Sequence, residues 1–114
     1  MGPRRDWKDA RAKVEAEGVC RNCGSPNVET AHVTGRAYDK PKTPGSKTLY
    51  VHPDSVIALC GRFGNDCHGA FDRHELDVLS LLDSPEQLKA VEDLGSIESA
   101  RIRLCPSAYH SEAA

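Results

Sequence analysis

Cys20-Arg21-Asn22-Cys23 sets two thiols two residues apart, and Cys60 and Cys67 add two more with six residues between them. Four thiolates in two clusters fit a closed tetrahedral Zn²⁺ site. The second pair is wider than the usual spacing of about two to four residues, so His68, directly after Cys67, offers an imidazole as an alternative fourth ligand. Two other readings stand beside zinc: a redox dithiol at Cys20 and Cys23, and four unligated buried cysteines. The redox reading needs a helix running on from the motif, and Gly24, Ser25 and Pro26 oppose one there. Cys105, beside Pro106, reads as a small core residue. His32 and His52 lie between the cysteine pairs, His68 follows at once, and His74 and His110 come later.

The elements that must hold these groups can be read from the surrounding texture. One domain is expected of 114 residues, with aromatics at 5% and a lean core that a metal staple would support. No apolar run reaches the ~18 residues of a membrane span, and the basic start MGPRRDWKDARAK lacks the apolar block of a secretory signal. A reducing, cytoplasmic setting follows, where clustered cysteines read as metal ligands before disulfides. Residues 1–50 carry ten basic and six acidic side chains, and residues 51–114 five and eleven. The first half could therefore meet phosphate, although an uneven solvated surface explains the same count.

DWKDARAKVEAEG reads as a helix with Asp6 as N-cap, Gly18 as C-terminal stop, and Trp7, Ala10 and Val14 on one face. NVETAHV reads as a strand with Val28, Thr30 and His32 on one side. TGRAYDKPKTPGSK is a loop, and SVIALC a strand or the approach to a metal turn. Phe71, Leu76, Leu79 and Leu82 recur at helical intervals in GAFDRHELDVLSLLD. Ser84 as N-cap, Pro85 at the first helical position and Gln87 as its capping-box partner open a further helix ending at Gly95. SIESARIRLC forms a last helix, stopped by Pro106, and SAYHSEAA with His110 is tail.

Taken in order, CRNC, ETAHVTGR, DSVIALC and DCHGAFD make the chain resemble the HNH family of endonucleases, the ββα-metal nucleases. The likeness covers about residues 18–95 and is nearest in look to small HNH proteins of actinobacterial tailed phages. Their sequences share the appearance of HVTGRAYD, DSVIALC and FDRHELDVLSLL. The resemblance implies an α+β fold with a small zinc-stapled ββα-metal core and flanking N- and C-terminal helices. It divides the chain into a helix over 1–18, a zinc-bound core over 19–83, helices over 84–105 and a tail over 106–114.

It also implies metal-dependent hydrolysis of DNA. His32 matches the general base, an imidazole whose pKa near 6.5 lets it take a proton from water. His68 matches the histidine that holds a catalytic divalent metal. Asp72, four residues on, would share its helix face and suit Mg²⁺, Mn²⁺ or Ni²⁺. His74, about 240° around such a helix, would point elsewhere. Ala31 stands where many members carry a metal-binding Asp or His, and Ser55 where the loop-pinning residue is often Asn. Asp54 is a substitute for Ser55. Arg36, at a glycine turn past His32, could clamp a phosphate. Lys40, Lys42 and Lys47 suit backbone contact rather than base reading. DNA is thus the implied partner, with the phage terminase beside it in the host cytoplasm. The rival expectations are a non-catalytic zinc-ribbon module that binds nucleic acid, and an assembly protein docking through its acidic half.

Overall fold

The computed structural model describes residues 3–107. A two-residue strand β1 (Arg5–Asp6) leads into helix α1 (Lys8–Glu17). After the first cysteine turn come β2 (Val28–His32), a 3₁₀ turn at Arg36–Tyr38, and the short strands β3 (Lys40–Pro41) and β4 (Leu49–Tyr50). A second 3₁₀ turn at Pro53–Ser55 feeds β5 (Val56–Cys60). Helix α2 (Cys67–Asp72) follows the second cysteine turn. The last elements are a 3₁₀ turn at Leu79–Leu81, α3 (Ser84–Leu94) and α4 (Ile97–Leu104). The fold is α+β with two small sheets. No helix among the described residues is long and apolar enough to cross a membrane.

The central ribbon pairs β2 antiparallel with β5, Val28 opposite Cys60 and His32 opposite Val56. All five residues of β5 are buried. This is why VIALC is an unbroken apolar run rather than an alternating one: both of its faces are covered. Val56 and Ala58 meet Ala10 and Val14 of α1, with Val51 beside them. Ile57 and Leu59 meet Ala31, Val33, Val78, Leu82, Ala90 of α3 and Leu104 of α4. The ribbon is therefore a middle layer between α1 and the α3–α4 pair. The second sheet is a clasp of two-residue strands, β1 parallel to β4 and β3 antiparallel to β4.

Three local expectations are corrected. The N-cap of α1 is Trp7, because Asp6 is paired with Tyr50 in the clasp and its carboxylate accepts from Lys8 N. The long helix expected over GAFDRHELDVLSLLD stops at Asp72, since His74 turns into the left-handed region at φ 59°. Leu76 packs on the core from irregular chain and Leu79 and Leu81 from the short 3₁₀ turn, so their spacing reflects burial and not one continuous α-helix. The capping box of α3 is Asp83 with Glu86, one residue earlier than Ser84 with Gln87. Glu86 is fully buried and meets Lys13 and Arg21, which fixes where that helix begins.

Candidate functional site

The sulfurs of Cys20, Cys23, Cys60 and Cys67 all lie within 4.8 Å of one another. Cys23 and Cys60 are 3.5 Å apart, close to the edge of a tetrahedron with Zn–S bonds of about 2.3 Å. All four cysteines are free thiols. Two tight turns bring the pairs together. In the first, Gly24 takes φ 82° and its N–H donates to Cys20 O at 2.9 Å, while Cys20 N donates to Ser25 O at 2.7 Å. In the second, Gly64 N and Asp66 N both donate to Gly61 O at 3.0 Å. A Cβ on Gly64 would lie 2.6 Å from Ser25 Oγ and 2.9 Å from Cys60 Cβ. Glycine there lets one turn press against the other.

The donor set suits a thiophilic ion. Asn65 donates to Cys60 Sγ through its backbone N at 3.3 Å and to Cys23 Sγ through its amide at 3.2 Å. Asn22 Nδ2 donates to Cys67 Sγ at 3.3 Å. The Asn65 contact leads the effects that hold the Cys23 thiol down to about 6, and burial pushes that of Cys67 up to about 12. These donors suit sulfur that carries negative charge. His68 is not in the group, whose fourth member is Cys67, and the cluster is a Cys₄ site able to hold zinc. Cys105 stands apart and half-buried.

Beside this cluster a cleft of about 400 Å³ opens between the end of β2 and α2. His32, Arg36, His68 and Asp72 line it, together with Trp7, His74 and Arg103. His68 Nδ1 sits 2.7 Å from Glu29 Oε1, and His68 Nε2 is 3.9 Å from Asp72 Oδ2, one helical turn away. His74 is corrected: α2 has ended before it, and the turn returns its side chain to the cleft. His32 rests edge-on to Trp7, with ring centroids 5.1 Å apart. Burial lowers the His32 pKa from its ordinary value against the opposing pull of Asp39, which favours the neutral ring. Arg36 lies over the other part of the Trp7 surface at 5.6 Å. Arg103 reaches in from α4, donating to Thr34 O at 3.4 Å.

Ser55 is not in this cleft. It is buried, its carbonyl accepts from Val33 N at 2.8 Å, and it lines a second cavity of about 170 Å³ with His52, Tyr38 and Lys89. It ties down the chain after His32 through its backbone. Asp54, its expected substitute, donates its backbone N–H to His52 Nδ1 at 3.0 Å. Ala31 is wholly buried in the core and offers no ligand. Among the described residues the four cysteines are the group of three or more ligand-bearing side chains that can close on one ion. His68 and Asp72 are a pair. His110 lies outside the described residues.

Sequence reasoning missed Glu29, Asn22, Asn65 and Arg103. Asn22 and Asn65 stand inside the cysteine turns, a position that could have marked them. Glu29 and Arg103 find their partners 39 and 69 residues away, and only the tertiary fold shows this.

No family model matches the chain, and no solved structure matches it. The chain is similar to Chaplin-A of Streptomyces coelicolor, 31% identical over 72 residues that cover 54% of this chain and 29% of that protein. The chain thus spans less than a third of that relative's length, and so partial a likeness defines no shared family. The fold and site define a small α+β domain with a Cys₄ cluster able to hold a metal ion.

Proposed function

We propose that this domain is a zinc-stapled, metal-dependent endonuclease of the HNH kind, which grips a nucleic-acid phosphate in the cleft and hydrolyses it. One observation carries the reading: His32 and His68 come from separate elements, 36 residues apart, and line the same cleft with Asp72. The order of strand, long loop, strand, metal turn and helix supports it. In this reading residues 19–83 form the core, and the helices before and after brace it. The cell compartment is the host cytoplasm and the setting phage DNA processing beside a terminase, both resting on the resemblance alone.

His32 takes the proton from a water that attacks phosphorus. The water oxygen bonds to phosphorus as the phosphorus–3′-oxygen bond breaks, and the departing 3′ oxygen takes a proton from solvent, leaving 5′-phosphate and 3′-hydroxyl ends. His68 and Asp72 would hold a divalent ion, the carboxylate suiting a hard cation such as Mg²⁺. Once bound, that ion would neutralise charge on the phosphate and on the leaving oxygen. Arg36 and Arg103, which also line the cleft, orient the phosphate. Ser55 anchors the loop behind His32 through its main chain.

A second reading, a zinc module that binds nucleic acid or a partner protein without cutting, has its own support. Ala31 leaves the His68–Asp72 pair without a third protein ligand, and the Cys₄ centre alone suffices for a binder. Plasmid cleavage with Mg²⁺, Mn²⁺ or Ni²⁺ separates the two. His32→Ala should lower cleavage by about 10²–10⁴-fold while zinc content and DNA affinity stay as they were. Wild-type protein that binds DNA and leaves it intact under all three metals establishes the binder instead.

A further inference from the structure

We propose that Asp39 is the positioning residue for His32, holding its ring as the Nε2–H tautomer with the Nδ1 lone pair facing the cleft. The catalytic meaning of this rests on reading His32 as the general base, but the tautomer does not. Asp39 Oδ2 lies 3.0 Å and Oδ1 3.3 Å from His32 Nε2. Arg5 Nε donates to the same Oδ2 at 3.0 Å. The Asp39 side chain is 3% exposed, that of His32 9% and that of Arg5 16%. A carboxylate engaged by a guanidinium is an acceptor only, so the imidazole nitrogen facing it must carry the hydrogen. The lone pair is thereby left on Nδ1, which has no hydrogen-bond partner among the described residues. No side-chain nitrogen there is both buried and unpartnered, so Nδ1 reaches solvent.

The chain around Asp39 is shaped to deliver it. Gly35 at φ 106° and the 3₁₀ turn at Arg36–Tyr38 curl the chain back after β2, which places Asp39 seven residues beyond His32 against its ring. A residue with a side chain would be strained at Gly35. Arg5 is held by the clasp, where it stands opposite Leu49, and Asp39 enters the same clasp through its neighbour Lys40. Trp7 restrains the ring edge-on. This gives the two-residue strands a purpose: they align Arg5, Asp39 and His32 in series. When His32 takes a proton, the carboxylate behind it stabilises the imidazolium, the role of an orienting aspartate behind a catalytic histidine.

Long-range ¹H–¹⁵N spectra of the zinc-loaded full chain test this directly. Wild-type His32 should show a protonated Nε2 and an unprotonated Nδ1. Asp39→Asn should move the ring toward the Nδ1–H form and lower kcat for DNA cleavage about 10²–10⁴-fold, with KM little changed. An Nδ1–H tautomer in the wild-type protein overturns the proposal, and that measurement needs no variant to fold. So does an Asp39→Asn protein with tautomer and kcat both unchanged. Wild-type protein that has the expected tautomer but cuts no DNA upholds the Asp39 assignment and removes the nuclease reading.

Discussion

Glu29 gives His68 its direction. With Nδ1 engaged by the Glu29 carboxylate at 2.7 Å, Nε2 is the nitrogen left for the divalent ion proposed to bind there with Asp72. A carboxylate behind a ligating histidine fixes its tautomer and raises its basicity. If the proposed ion binds in the cleft, Glu29→Gln should weaken it by about 10–100-fold, read from a Mn²⁺ titration, without changing zinc content. At this scale the legible residues were those whose chemistry is rare. Four cysteines in two pairs announce a metal wherever they fall, and His32 and His68 gained meaning from that frame. Glu29 and Asp39 were not legible, because a carboxylate on a strand or in a loop is ordinary. Its meaning comes from an imidazole that the fold brings to it. Asp72 shares a helix face with His68 as the spacing predicted, while His74 joins the cleft only because the helix ends early.

Among the elements, α3 is tied to the rest by one buried acid. Glu86 closes the capping box with Asp83, accepts from Lys13 Nζ at 2.5 Å, and is ion-paired with Arg21 between the first two cysteines. Arg21 in turn pairs with Glu17 of α1, and Lys13 also donates to Pro53 O and Val56 O. Burial alone would raise the Glu86 pKa, but the bonds from Arg21 and Lys13 outweigh it and the net value falls below 4.5. A lowered carboxylate pKa adds stability above the unfolded value, and that addition is lost as pH falls through the folded one. Glu86→Ala should thus cost about 3 kcal/mol at pH 7 by urea unfolding. The gap from wild type should narrow as pH drops below about 4.5. The helix itself was visible in the sequence from Pro85 and Gly95. Its first residue was not, since the choice between Asp83 and Ser84 depends on what waits inside for Glu86.

The molecule as a whole places one five-residue strand under cover on both sides and gives it a narrow partner ribbon. With so small a core, a zinc held by the Cys₄ cluster would supply a large share of the folding free energy. Elemental analysis should find one zinc per chain. A strong chelator should then abolish both the far-ultraviolet helix signal and the cooperative unfolding transition, and returning zinc should restore them. A chain that keeps its circular dichroism after losing zinc would show that the apolar layers suffice alone. The α+β class came with the resemblance, while α1, β2, α3 and α4 were legible from their own caps and patterns. The clasp of β1, β3 and β4 was not, since two-residue strands leave no pattern to read.

Arg21 occupies a telling place. It stands within the first cysteine pair yet spends its guanidinium on acids from the first and third helices. Anyone grafting this cleft onto a foreign scaffold would find that the cassette cannot be cut at the borders of the ribbon. Lys13, Arg21 and Glu86 must travel together, or the transplant would expose a stranded charge at the seam.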